Sequence, residues 1–193
     1  MISNKSYKSL EELKKDVLNC NGCHLREGCR GVVFGEGDQR ADIMFVGEGP
    51  GAKEDELGRP FVGRAGQLLT RLIEESMGFK RKDVYITNAV KCRPLDNRTP
   101  TLKEIDTCLP ILRLQFKFIN PKILVLLGSA SLKGILDSSA KITQVRGIWH
   151  EKKNTHIMPT YHPAFLLRNP PREKESREDF QEIRRLYDEL SKN

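Results

Sequence analysis

Apolar positions along this chain follow two rhythms, a helical repeat of about 3.6 residues and short unbroken runs, and the changes between them mark out the elements. Residues Ser9–Leu18 carry Leu10, Leu13, Val17 and Leu18 at helical spacing, which predicts a short amphipathic helix. Ile43–Gly47 (IMFVG) is apolar until it stops at a glycine and predicts a buried strand. Gly63–Met77 places Leu68, Leu69, Leu72, Ile73 and Met77 on one helical face. Val84–Val90 (VYITNAV), rich in β-branched residues, reads as a second strand. Thr101 with Glu104 forms a capping box for a helix running to about Ile119, ended by Asn120-Pro121. Ile123–Leu127 (ILVLL) is a third buried strand, Ser129–Leu136 a helix, Thr155–Thr160 (THIMPT) a fourth strand, and Glu173–Leu190 a charged closing helix.

Strands alternating with helices predict an α/β fold, a three-layer α/β/α sandwich around a mainly parallel four-stranded central sheet. With no internal repeat or low-complexity block, one domain over residues 1–193 is expected: an N-terminal helix and cysteine segment (1–30), a core (31–170) and a C-terminal helix (173–191). Ligands of such sheets bind beyond the carboxyl ends of the strands. Those ends carry Gly47–Gly51, Asn88–Cys92, Gly128–Ser129 and Tyr161–Pro163.

Composition narrows the classes. At 38% hydrophobic and 31% charged, the 193-residue chain reads as soluble and globular rather than disordered. No apolar run reaches the length of a membrane span, and Met1–Asn19 lacks the apolar stretch of a signal peptide, so no membrane partner and a cytoplasmic location are expected. The net charge of +7 suits a polyanion such as nucleic acid.

Five cysteines without an export signal point to metal or cluster ligation rather than disulfides. Cys20 and Cys23 form C-x2-C, which places two thiolates on one turn, and Cys92 and Cys108 follow after a long gap. Such a set can bind zinc or an iron–sulfur cluster; the second close pair usual in zinc ribbons is missing, and four separated thiolates fit a cubane at least as well. Cys29, six positions past the pair, reads as either a spare thiol or an alternative ligand, the former being preferred.

The glycine loop 46-VGEGPGAKEDE-56 resembles a phosphate cradle only loosely. A Walker loop needs a G-K-[ST] ending, and here Gly51 is followed by Ala52-Lys53-Glu54. A dinucleotide loop would set its pyrophosphate against Pro50 and the acids Glu54, Asp55 and Glu56. No nucleotide cofactor is expected.

Gly47-Glu48-Gly49-Pro50-Gly51, Glu54-Asp55, Gly58, Pro60-Phe61-Val62-Gly63 and Ala65-Gly66 resemble the first motif of the family 4 uracil-DNA glycosylases. Thr87-Asn88-Ala89-Val90-Lys91-Cys92-Arg93-Pro94 is similar to their central motif, and His162-Pro163-Ala164-Phe165-Leu166-Leu167-Arg168 to their last. The resemblance spans roughly Cys20 to Arg168 and implies an enzyme that flips uracil out of DNA and hydrolyses its N-glycosidic bond, starting base excision repair. It also implies that Cys20, Cys23, Cys92 and Cys108 hold a structural [4Fe-4S] cluster, and that uracil-containing DNA is the partner of a monomer. No motif names a repair or replication-clamp partner.

The resemblance also assigns roles. Phe61 would stack on the base, beside the backbone of Gly47, Glu48 and Gly49. The Asn88 amide would donate to a uracil carbonyl and accept from N3–H, an arrangement cytosine cannot satisfy. His162 would stabilise charge developing on uracil O2, as an oxyanion hole does. Leu166, in preference to Leu167, would be the wedge that fills the vacated stack, and Arg168 would hold backbone phosphate. Where family 1 enzymes carry a water-positioning aspartate and a methyl-blocking tyrosine, this chain has Gly49 and Gly51, so Glu54 is the expected substitute and Glu48 contributes mainly through its backbone. The expected catalytic set is thus His162, Glu48, Glu54 and Asn88, with His24, His150 and His156 structural. A sister group that traps DNA covalently through a histidine in a basic insertion is disfavoured, because Arg93–Pro100 contains neither. A non-catalytic iron–sulfur DNA-binding module would not need Phe61, Asn88 and His162 together.

Overall fold

The apolar runs form the middle of one sheet. A computed structural model describes residues 5–192; residues 1–4 and 193, included in the expected domain bounds, lie outside the described residues. The strands are β1 (Glu36–Gly37), β2 (Ile43–Gly47), β3 (Tyr85–Asn88), β4 (Ile123–Leu127), β5 (His150–Lys152) and β6 (Thr155–Thr160), in the order β1-β3-β2-β4-β6-β5. The inner four are parallel, and β1 and β5 pair antiparallel on the outside. The expected parallel four-stranded sheet is therefore present and is widened to six strands by edges of two and three residues. Their segments, EG and HEK, contain no apolar run and so left no periodic signal. Short polar edges also discourage pairing with other chains.

Period-two alternation divides the sheet between two cores. Met44, Val46, Leu124 and Leu126 face α1 (Leu10–Val17) and α4 (Leu102–Ile119). Ile43, Phe45, Ile123, Val125 and Leu127 face the other way, onto α3 (Arg64–Arg71), α7 (Pro163–Arg168) and α8 (Glu173–Leu190). Three layers follow. The remaining helices are α2 (Ala52–Leu57), α5 (Ser129–Ile135) and α6 (Ile142–Val145). Among the described residues no helix is long and apolar enough to cross a membrane.

Helix ends form as their residues dictate. Ser9 Oγ accepts from the Glu12 N–H at 3.1 Å to start α1. At α4 both halves of the capping box are made: Thr101 Oγ1 accepts from Glu104 N–H at 3.3 Å, and Glu104 Oε2 from Thr101 N–H at 2.7 Å. The helix expected over Gly63–Met77 changes pitch, becoming a five-residue π turn at Leu72–Ser76. The strand expected to reach Val90 ends at Asn88, although Ala89 and Val90 N–H still donate to the Gly47 and Glu48 carbonyls at 2.9 and 3.1 Å.

Chain direction creates the site. After β2 the chain turns to α2 and α3 on one face; after β4 it turns to α5, whose Ala130 joins the opposite core. Neighbouring strands that part in this way leave a crevice at their carboxyl ends.

Candidate active site and cysteine cavity

A cavity of about 450 Å³ occupies that crevice. Its walls are Glu48, Gly49, Pro50, Gly51 and Glu54 after β2, Asn88 at the end of β3, Gly128–Ala130 after β4, and Tyr161 and His162 after β6, with Phe61 and Arg168. Segments distant in sequence, Pro94 and Asn97–Pro100, close one side.

Phe61 is held in a left-handed backbone conformation (φ 50°), which is strained for a bulky side chain. Three contacts enforce it. A Cβ on Gly66 would stand 1.9 Å from the Phe61 carbonyl oxygen, so only glycine lets that turn lie on α3. Glu54 Oε1 accepts from the next two amides, Val62 and Gly63, at 2.8 and 2.7 Å. Gly47 lies beneath: a Cβ there would meet Phe61 Cζ at 2.4 Å and Asn88 Oδ1 at 2.5 Å. Gly47, expected to touch the base, is thus not a wall of the cavity; it supports the two residues that are.

His162 caps α7. Its Nδ1 accepts from the Ala164 N–H at 3.1 Å, and Pro163 fills the first helical position. With Nδ1 an acceptor, the neutral ring carries its proton on Nε2. Burial pushes the imidazole down to about 4, helped by Arg168 and opposed by Glu54, so the ring is neutral at physiological pH. Among the described residues, His162 Nε2 and Asn88 Oδ1 are both buried in this cavity without a hydrogen-bond partner. Unpaired buried polar atoms are costly, and here a donor and an acceptor remain for a ligand. The Phe61 and His162 rings lie 5.6 Å apart, tilted by 35°.

Both glutamates expected in the catalytic set stand on the cavity wall. Glu48, expected to act through its backbone, lines the cavity, and burial raises its carboxyl against the pull of Thr99 and Arg168. Glu54 has one oxygen committed to the Phe61 turn, while Oε2 lies 2.8 Å from where a Gly51 Cβ would stand. A Cβ on Gly49 would come within 2.8 Å of Val90 Cγ2. A side chain at Gly49 would crowd Val90, and one at Gly51 would displace the Glu54 carboxylate.

The wedge expectation at Leu166 is corrected. Leu166 is 1% exposed and packs in the core with α3 and α8, whereas Leu167 is 38% exposed. Successive residues of α7 turn by about 100°, so only one of the pair can face outward. Arg168 lies on the cavity wall.

Cys20, Cys23, Cys92 and Cys108 wall a second, small cavity of about 20 Å³, together with apolar Val17, Leu25, Val32 and Ile111. Cys29 is not in that wall; it lies against the Arg26 carbonyl, its sulfur 3.6 Å away, and beside Cys92. Burial raises the Cys92 thiol strongly and Cys108 to about 11, and the Lys91 charge and backbone pull the latter back. Thiols in so apolar a site become thiolates when a bound metal supplies positive charge. Among the described residues no three ligating side chains converge on a single ion's position, while four thiols surround one space.

Two further residues lie within motifs that gave them no role at the site. Glu104, besides its capping box, accepts from Arg98 Nη2 at 2.5 Å and pairs with His24 Nε2 at 2.7 Å, tying the first cysteine segment to α4. Arg98, its strongest influence, holds its carboxyl down to about 2. Lys91 is 1% exposed, and its Nζ donates to Thr87 Oγ1 and the Asn88 carbonyl, both at 2.6 Å. Only the folded packing shows either role.

Residues 34–188 match the model of the uracil DNA glycosylase superfamily. The chain is 48% identical over 186 residues to a type-4 uracil-DNA glycosylase of Sulfurisphaera tokodaii, covering 92% of this chain and 84% of that protein. It is 48% identical over 164 residues to a type-4 uracil-DNA glycosylase of Thermotoga maritima, covering 83% and 84%. A type-5 uracil-DNA glycosylase of Pyrobaculum aerophilum is more distant, at 31% over 152 residues, covering 70% and 67%. With its parallel sheet, its crevice between β2 and β4 and identity of this extent to the type-4 proteins, the chain belongs to the uracil DNA glycosylase superfamily, among the type-4 uracil-DNA glycosylases.

Proposed function

We propose that this chain removes uracil from DNA, drawing the base into the cavity and hydrolysing its N-glycosidic bond to leave an abasic site. The observation that carries the reading is the pair of unpartnered buried atoms, Asn88 Oδ1 and His162 Nε2, in one cavity beside Phe61. Uracil offers what each lacks. Its N3–H donates to Asn88 Oδ1, and its O2 accepts from His162 Nε2–H. Cytosine presents a lone pair at N3 to the same oxygen and is rejected by roughly 10⁴-fold on the general cost of mispairing buried polar groups.

As the glycosidic bond lengthens, its electron pair moves into the uracil ring and charge collects on O2, where the neutral His162 donor strengthens its bond. The sugar becomes cationic and is captured by water, whose oxygen bonds to C1′ and whose proton is passed on to neutralise the uracil anion. Glu48 and Glu54, both on the cavity wall, are the acidic groups proposed to hold that water. Arg168 contacts phosphate, and Leu167, the exposed leucine of α7, takes the wedge role. Cys20, Cys23, Cys92 and Cys108 would hold a [4Fe-4S] cluster, which would tie their segments of chain together. The chain acts as a single domain and a monomer, in the cytoplasm, on uracil-containing DNA.

The test is an end-labelled oligonucleotide with one uracil, treated with the protein and then alkali. Strand breaks are expected at uracil, not at thymine or cytosine, and His162→Ala lowers the single-turnover rate about 10²–10³-fold while DNA affinity stays within a few-fold. Folded, metal-loaded protein that binds DNA but yields no breaks at uracil would leave a non-catalytic DNA-binding module as the better reading.

A further inference from the structure

Asn88 is asked to present its amide with sub-ångström accuracy, yet among the described residues its side chain makes no hydrogen bond to the protein. Its direction is therefore set by its packing over Gly47 and by the backbone that carries it. The peptide joining Asn88 to Ala89 is pinned at both polar atoms. Its N–H, on Ala89, donates to the Gly47 carbonyl at 2.9 Å, and its C=O, on Asn88, accepts from Lys91 Nζ at 2.6 Å. The same ammonium donates to Thr87 Oγ1, which in turn donates to the Phe34 carbonyl at 2.8 Å. Lys91 is a wall of the cysteine cavity, and the next residue is Cys92. A side chain that leaves one cavity thus ends on the backbone of the residue facing the other.

We propose that Lys91 is a positioning residue for base recognition, fixing the Asn88–Ala89 peptide and hence the Asn88 amide, and joining that peptide to the wall of the cysteine cavity. The inference rests on the glycosylase reading above. Lysine meets a specific need: β3 ends at Asn88, the carbonyl has no further strand to pair with, and a buried carbonyl without a donor is penalised. Both bonds need only two protons, which the amine keeps in either charge state. A hydrocarbon of the same length would fill the space but free the peptide.

Lys91→Met in the holoenzyme tests this. The expected result is a protein that keeps its iron content, melts a few degrees lower because the Asn88 carbonyl loses its donor, and binds an abasic-site duplex unchanged. Its inhibition constant for free uracil should rise about tenfold and its single-turnover rate on uracil fall about 10²-fold, the size of effect that a small misplacement produces. A purely structural lysine would move melting temperature without moving uracil affinity against abasic-duplex affinity, and that pattern overturns the proposal. If Lys91→Met does not fold, Thr87→Val removes one of the two acceptors; a smaller loss of uracil affinity is expected, and an unchanged value overturns the proposal. The wild-type oligonucleotide assay runs in parallel. Absence of cleavage there sinks the glycosylase reading, whereas normal cleavage with indifferent Lys91 and Thr87 variants sinks only this inference.

Discussion

Because His162 spends Nδ1 on the Ala164 amide, the cap that starts α7 also decides which ring nitrogen faces the cavity. Its folded-state value of about 4 lies below the ordinary 6.5, so between those limits the unfolded chain binds more protons than the folded one. The sign follows: stability falls as pH drops from about 6.5 towards 4, and above 6.5 this residue exerts no pH effect. The expected nitrogen-15 NMR spectrum shows one neutral Nε2–H tautomer from pH 8 to pH 5. A titration midpoint near the ordinary histidine value would contradict the buried, neutral donor. The sequence identified His162 and Asn88 through their motifs, but not that each has an unpaired atom turned into one cavity. That depends on what surrounds them, and no local pattern encodes it.

At the scale of elements, the glycine loop works as a frame for Phe61 more than as a surface for the base. Glu54 on α2 clamps the Val62 and Gly63 amides, and the space above Gly66 receives the Phe61 carbonyl. Glu54→Ala should free the strained turn and lower the uracil excision rate roughly 10–100-fold with little loss of DNA affinity, whereas Glu54→Gln, which keeps an acceptor oxygen, should lose less. Equal rates for all three proteins would remove the clamp from the account.

Glu104 does similar work for the first cysteine segment, joining the start of α4 to Arg98 and His24. Glu104→Ala should cost about 2–3 kcal/mol and lower Tm by about 5–10 °C near neutral pH. Its folded carboxyl titrates at about 2 against an ordinary 4.5, so this stability is fully present above 4.5 and is lost as pH falls through about 2. Thermal melts of both proteins at pH 7 and near pH 2 should therefore differ widely at the first and converge at the second. The sequence predicted the capping box and the helix it starts. Arg98 lies on a loop and His24 opens a single 3-10 turn, neither with an apolar period, so their contribution appears only once those segments are folded against α4.

For the molecule as a whole, four thiols join three regions: the chain just after α1, the chain just after β3, and α4. A metal group bound there would close long loops, and its binding free energy would count towards folding. Cys108→Ser should lose most of its iron and melt roughly 10 °C lower, while Cys29→Ser should keep both near wild type. Equal iron loss from the two variants would bring Cys29 into the ligand set. Elemental analysis alongside calorimetry makes that comparison.

What the sequence determined by itself was whatever rests on near neighbours. The buried strands Ile43–Gly47 and Ile123–Leu127, the capped helices, the order of the three motifs and the C-x2-C pair all follow from residues a few positions apart. It also fixed the layers, since alternate residues of a strand must face opposite cores. Only the tertiary structure decided that Leu166 is core and Leu167 exposed, because one turn of helix puts adjacent leucines on different faces. It also decided that Gly47 supports Phe61 and Asn88 from beneath, and that Lys91 reaches back from one cavity to the backbone of the other. Burial and close approach are properties of segments far apart in sequence, and they come into being only when the sheet brings those segments together.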